Sequence, residues 1–174
     1  IKYKKYKNPV ILIASKKIVL SQMKKLNTKI AINTLNYKNL IKEEMSISKI
    51  NLINVNYSQQ QTFKKISYKS NNYIKRCFKI AFSIINDGIS TKLINGPISK
   101  KNFLKKSFPG ITEFIADKFN SKPIAMLIYN KELSVCPITT HQPIKSISNS
   151  INKEKILKKI ILINDFYKTY FGFK

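Results

Sequence analysis

His141 carries the only imidazole in the chain. It follows Thr139 and Thr140 at the end of an apolar run, so that two hydroxyls and a ring nitrogen arrive together. Imidazole is a general ligand for borderline divalent metals and a proton carrier near neutral pH. One histidine cannot build a His-rich metal site alone, and a solitary histidine also serves as an ordinary surface or core side chain. Two further loops hold groups able to touch a ligand. In Asn95-Gly96-Pro97-Ile98-Ser99-Lys100, the glycine permits close backbone approach. The helix start near Ser99 would offer free N–H groups to an anion, and Lys100 could add a positive charge. The same residues also make a plain strand-to-helix turn. In Phe108-Pro109-Gly110-Ile111-Thr112-Glu113-Phe114, Thr112 could hydrogen-bond a phosphate or hydroxyl, or cap a helix running through Phe119 with Glu113 as its acidic first-turn residue. Spacing assigns no catalytic residue.

The elements that would position these loops follow from apolar periodicity. Pro9-Val10-Ile11-Leu12-Ile13-Ala14 is a continuous apolar run, which suits a strand buried on both faces. Ser15 is then placed to cap a helix to about Lys25, along which Ile18, Val19, Gln22, Met23 and Leu26 recur at helical spacing. Short strands are expected over 29–32 and 50–55. Over 70–87, Tyr73, Ile74, Cys77, Phe78, Ala81, Ile84 and Ile85 follow the i, i+3, i+4 rule, with Gly88 as the stop. A strand over 91–95 should lead into the first loop. Strands over 123–129 and 133–139 should pair across Asn130-Lys131-Glu132 and deliver His141 at a carboxyl end. A last amphipathic helix is expected over 153–170, with Ile156, Leu157, Ile160, Ile163, Phe166 and Tyr167 on one face. Strands alternating with helices predict an α/β sandwich with a largely parallel sheet, and in such folds ligands gather outside the carboxyl ends of the strands.

Composition narrows the classes. The chain has 174 residues, 43% hydrophobic, enough to bury a core, and no run approaches the roughly 18 apolar residues of a membrane span. A net charge of +25 invites a nucleic-acid reading. Against it, Arg76 is the only arginine, whereas base readout and bidentate phosphate clamping favour guanidinium. The lysines are also scattered and accompanied by frequent Ile and Asn, as A/T-rich coding would produce. No G-x-G-x-x-G, P-loop or G-x-S-x-G run occurs, which removes the common dinucleotide, nucleotide and hydrolase motifs. Cys77 and Cys136 belong to no C-x-x-C pair and are expected to be buried free thiols in a reducing cytoplasm. The opening Ile1-Lys2-Tyr3-Lys4-Lys5 has no initiator Met and no targeting pattern, and the chain ends at Phe171-Gly172-Phe173-Lys174, a helix stop with no following strand. Both ends are therefore expected to be cuts.

Taken in order, the three loops, together with Ala125-Met126-Leu127 and the extension of the third through Gln142-Pro143-Ile144-Lys145, resemble the 4-hydroxythreonine-4-phosphate dehydrogenase family of vitamin B6 biosynthesis. The resemblance runs from Asn8 to Gly172. It implies a three-layer α/β sandwich like that of the isocitrate and isopropylmalate dehydrogenases, here incomplete. Residues 1–174 would then be the amino-terminal and central portion of a longer two-domain chain. It implies a cytoplasmic homodimer that uses NAD and a divalent metal (Zn, Mn, Mg or Co) to oxidise a small phosphorylated hydroxy-amino acid at its secondary alcohol, with decarboxylation following. His141 matches the first of three metal-binding histidines. The other two, in Asn-Pro-His and Tyr-His-Asp segments, and the cofactor-binding residues would lie beyond residue 174. Thr112 matches a substrate-binding threonine, but Ile111 stands where the family motif has a substrate-binding histidine. The Gly-Asp-Pro-x-Gly-Ile-Gly-Pro-Glu opening is also missing. By itself the 174-residue chain is expected to be inactive. Ile111 keeps open a related dehydrogenase of phosphorylated four-carbon sugar acids such as 4-phosphothreonate, and a degenerate homologue without activity.

Overall fold

A computed structural model of the chain describes residues 8–59, 62, 63, 65, 67–105 and 107–172. The opening Ile1 to Lys5 and the terminal Phe173 and Lys174 lie outside them. Two compact units divide at Phe103 and Leu104.

The first unit is a parallel β-sheet with helices. Strand β1 (Ile11–Ala14) leads into helix α1 (Lys16–Lys25), β2 (Ile32–Leu35), a 3-10 turn (Tyr37–Lys42), β3 (Ile50–Asn54), helix α2 (Asn71–Asn86) and the short helix α3 (Lys100–Phe103). The strand order is β1-β3-β2, all parallel, in register Ile11 with Asn51 and Ile32 with Ile50. This is the α/β architecture with a parallel sheet that the alternation of elements predicts. Burial falls differently from expectation: β1, the continuous apolar run, is only half-buried. It has a neighbour on one side alone among the described residues, whereas β3 is central and buries Asn51, Leu52 and Ile53. The second strand begins at Ile32 rather than Lys29, because α1 closes through Asn27 and Thr28, whose N–H groups return to the Lys24 and Met23 carbonyls. Nor does the Ser15 hydroxyl cap α1. The buried Ser15 donates its N–H to the Tyr73 hydroxyl, and Asn54 Oδ1 from β3 accepts the Lys16 N–H at 2.9 Å, tying the helix start to the central strand.

Leu35, Leu40, Ile53 and Ile84 form the core, with Ile11, Ile13, Tyr37, Met45, Ile80 and Ile89 packed on it. At its edge lies a polar hub. Asn51, 0% exposed, accepts from Ser46 N at 2.8 Å and Asn33 Nδ2 at 3.0 Å, and donates to Ser46 O at 2.8 Å and Val10 O at 3.3 Å. One side chain thus satisfies both faces of its amide while joining segments beside all three strands.

Helix α2 matches the predicted span to within a residue at each end and buries Phe78, Ala81 and Ile84. Its stop is a Schellman motif: Gly88, at φ +70°, donates to Ile85 O, and Ile89 donates to Ile84 O at 3.1 Å. Open space surrounds the position of a Cβ on Gly88, so only the left-handed backbone selects glycine there. Gly88→Ala is expected to lower unfolding free energy by about 1 kcal/mol; an unchanged urea midpoint would contradict this account of the stop.

The strand expected over 91–95 does not form. Those residues are largely exposed, Ile94 at 90%, and no neighbouring strand supplies a ladder among the described residues. In the second unit the hairpin expected over 123–139 shrinks to one antiparallel bridge, Ile128 with Val135. Pro123 and Pro137 bracket it without N–H donors, and Leu133 is 70% exposed. The second unit is otherwise helical: α4 (Ile111–Lys118), a 3-10 turn (Ile144–Ser146), α5 (Ile147–Ser150) and α6 (Lys153–Phe171). Helix α6 begins where expected, capped by Asn152 Oδ1, which accepts the Lys155 N–H at 2.9 Å, and ends at Gly172 with φ +68°. Its apolar face is not buried. Ile156, Leu157, Ile160 and Phe166 are all exposed. No helix of the described residues is long and apolar enough to cross a membrane.

Candidate functional site

Helix α4 starts two residues earlier than a Thr112 cap requires. Gly110 is the N-cap, buried and extended, and its carbonyl accepts the Phe114 N–H at 3.2 Å. Phe108 lies edge-on to Phe114, ring centroids 5.5 Å apart, which fixes how the chain enters the helix. Ile111, Thr112 and Glu113 are therefore the first three helical residues. Their N–H groups have no carbonyl four residues back within the helix. The Thr112 hydroxyl, released from capping, is free for a ligand.

His141 sits in a loop past the Ile128–Val135 bridge, not at the end of a strand, with Thr139 and Thr140 half-buried before it. Its backbone is left-handed, φ +55°. Asn27 and Asn120 share that conformation, but each follows a helix end and closes it with returning hydrogen bonds. His141 closes no helix. A left-handed non-glycine residue without such a role is strain held by its surroundings, and strain of this kind gathers at binding sites.

The fold brings the second and third loops together over Gly110. A Cβ built on Gly110 would stand 3.3 Å from His141 Nε2 and 2.6 Å from Glu113 Oε2. The backbone is extended, so a side chain at this position would not strain its φ but would displace the Glu113 carboxylate. The Glu113 oxygen is buried and has no hydrogen-bond partner among the described residues. Sequence reasoning treats Glu113 as a dipole-matching first-turn residue. The available signal was a Glu at the third helical position with glycine, not Ser or Thr, at the cap, so that no reciprocal capping box uses it.

An imidazole nitrogen and a carboxylate oxygen facing the same small space are donors that suit a divalent cation. The orphaned oxygen and the cleared cradle at Gly110 fit such an ion. No group of three or more His, Cys, Asp or Glu comes together among the described residues, so the two donors make part of a coordination shell.

The first loop belongs to the first unit. Lys100 is exposed at the start of α3. Ser99 Oγ accepts from Asn102 N and Nδ2, and a Cβ on Gly96 would meet open space, so the turn accounts for its own residues. With four residues, α3 offers little dipole to an anion. A cavity of about 240 Å³ beside it is lined by Tyr57, Asn71, Tyr73, Ser99 and Phe103 but not by Lys100. Cys77 and Cys136 are free but half-buried rather than buried. Burial pushes the Cys77 thiol up and raises neighbouring Tyr73 to about 12. Neither group is poised for chemistry at neutral pH.

The chain is similar to known proteins. It is 43% identical over 82 residues to 4-hydroxythreonine-4-phosphate dehydrogenase of a Sulfurihydrogenibium species, covering 46% of this chain and 26% of that one. It is 40% identical over 101 residues to the enzyme of the same name from a Hydrogenobaculum species, covering 58% and 32%. Among solved structures, the 4-hydroxythreonine-4-phosphate dehydrogenase of Klebsiella pneumoniae shares the fold with a TM-score of 0.73 at 22% identity, over 91% of this chain and 49% of its own. The chain thus spans about half the length of that relative. A family model described as pyridoxal phosphate biosynthetic protein PdxA matches residues 5–174, and the chain belongs to that family.

Proposed function

We propose that the chain is the amino-terminal and central portion of an NAD-dependent, divalent-metal-dependent dehydrogenase that oxidises and decarboxylates 4-phosphooxy-threonine for pyridoxal phosphate synthesis. The observation that carries this reading is the convergence of His141 Nε2 and Glu113 Oε2 over Gly110, beside Thr112 at the open start of α4, in a member of this family. His141 is a metal ligand in it. A divalent cation held in part by His141 would supply Lewis-acid polarisation, and a nicotinamide would supply the hydride acceptor. Thr112 and the free N–H groups of the first turn of α4 hold and orient the polar end of the substrate. The nicotinamide site and the remaining ligands come from sequence beyond residue 174, in a cytoplasmic homodimer.

Ile111 favours a second substrate. Half-buried at the first position of α4, it offers no donor where the family motif carries histidine. A four-carbon acid such as 4-phosphothreonate, held without that donor, is the alternative. Steady-state kinetics of the intact gene product with both compounds, followed by nicotinamide absorbance, decide between them. The expected result is metal-dependent turnover of 4-phosphooxy-threonine. Preference for 4-phosphothreonate would move the substrate, and turnover of neither would remove the enzyme reading.

A further inference from the structure

The geometry points to Glu113 as a second metal ligand, so that His141 Nε2 and Glu113 Oε2 form a nitrogen–oxygen half-site for one divalent cation above Gly110. The inference deepens the metal reading of His141 and rests on it. Three observations support it.

The first is the orphaned oxygen. A buried carboxylate atom without a partner is costly unless something positive reaches it, and Glu113 Oε2 has no hydrogen bond. The ion pairs among the described residues, Lys118 with Asp117 and Lys158 with Glu154, leave Glu113 aside. Among the described residues no lysine pairs with it, although the chain has 33 basic residues. The second is the imidazole. Its Nε2 lies within 3.3 Å of a point only 2.6 Å from the carboxylate oxygen, yet the two atoms do not hydrogen-bond each other. Both donor atoms therefore reach the same side of Gly110 without pairing with each other. The third is Gly110. Its lack of a Cβ is what keeps this space clear, because a methyl group there would press into the carboxylate. One nitrogen and one oxygen suit Mn, Co or Zn better than Ca, whose sites are built of oxygen alone.

The test uses the 174-residue chain stripped of metal by chelation. Because His141 is the only histidine, its ring protons give one identifiable NMR signal, and Mn2+ broadens it even at weak occupancy. Titration of the wild type with Mn2+ is expected to broaden that signal and to raise Tm through binding to the folded state. Glu113→Gln keeps the shape and removes the charge. It should need at least about tenfold more Mn2+ for the same broadening, with a metal-free Tm equal to or above the wild type, since an unpaired carboxylate has gone. Gly110→Ala should weaken Mn2+ in the same direction by displacing Oε2. If Glu113→Gln matches the wild-type titration, or if it lowers Tm without metal, Glu113 is not a ligand, while His141 still can be. If Mn2+ leaves the wild-type His141 signal untouched, the half-site of this chain fails, and the metal reading of His141 then stands or falls on the His141→Ala test in the intact gene product.

Discussion

Asn51→Leu is expected to cost roughly 3 kcal/mol of unfolding free energy, seen as a large fall in the urea midpoint. Leucine fits the volume and is apolar, so a hydrophobic account of β3 would foresee little change. The hydrogen bonds foresee the opposite. Asn51 Oδ1 is the acceptor for Ser46 N–H, and its Nδ2 serves Ser46 O and Val10 O. Orphaning buried groups costs about 1–3 kcal/mol each, and total stability is only about 5–15 kcal/mol. Asn51→Asp separates shape from bonding. It has the outline of Asn but no donor for Ser46 O, and it should be destabilising too. A leucine variant within about 1 kcal/mol of wild type would mean that the hub has no energetic weight.

His141→Ala in the intact gene product is expected to abolish metal-dependent turnover while leaving most of the fold in place. The left-handed backbone complicates the reading, because alanine keeps the strain of φ +55° and loses whatever contacts of the imidazole hold the loop against it. His141→Gly removes the imidazole and relieves the backbone at once. If loss of the ligand is the cause, both variants are inactive although the glycine variant is the more stable. If loop disorder is the cause, glycine restores activity and the ligand role is refuted.

Much of the fold was legible from spacing. The α2 pattern from Tyr73 to Ile85, closed by Gly88, is local information, as is the start of α6 at Asn152. The strands were less legible because pairing is not local. Ile11 to Ala14 reads as the most buried strand, but its place at one side of β3 leaves it half-exposed, while Asn51, polar by type, is the buried residue. Residues 91–95 and 123–139 are apolar enough for strands but, apart from the Ile128–Val135 bridge, form no ladder among the described residues. In the site, His141 and Thr112 stand out by type and company. Glu113 does not, because its role depends on a meeting with His141 over Gly110 that neither loop encodes alone. The φ of His141 is likewise invisible in its neighbours.

The left-handed helix ends at Asn27 and Asn120 bear on how such a chain evolves. With four glycines in 174 residues, the chain is short of the residue that helix ends favour, whose codons are all G-rich in their first two letters. Asparagine is the A/T-coded side chain that best tolerates positive φ, and it stands at both ends with the returning hydrogen bonds intact. A drifting genome can therefore trade glycine for asparagine at these ends and keep the topology. At Gly110 the trade has a different cost, because a side chain there would meet the Glu113 carboxylate and the His141 ring rather than strain its own φ.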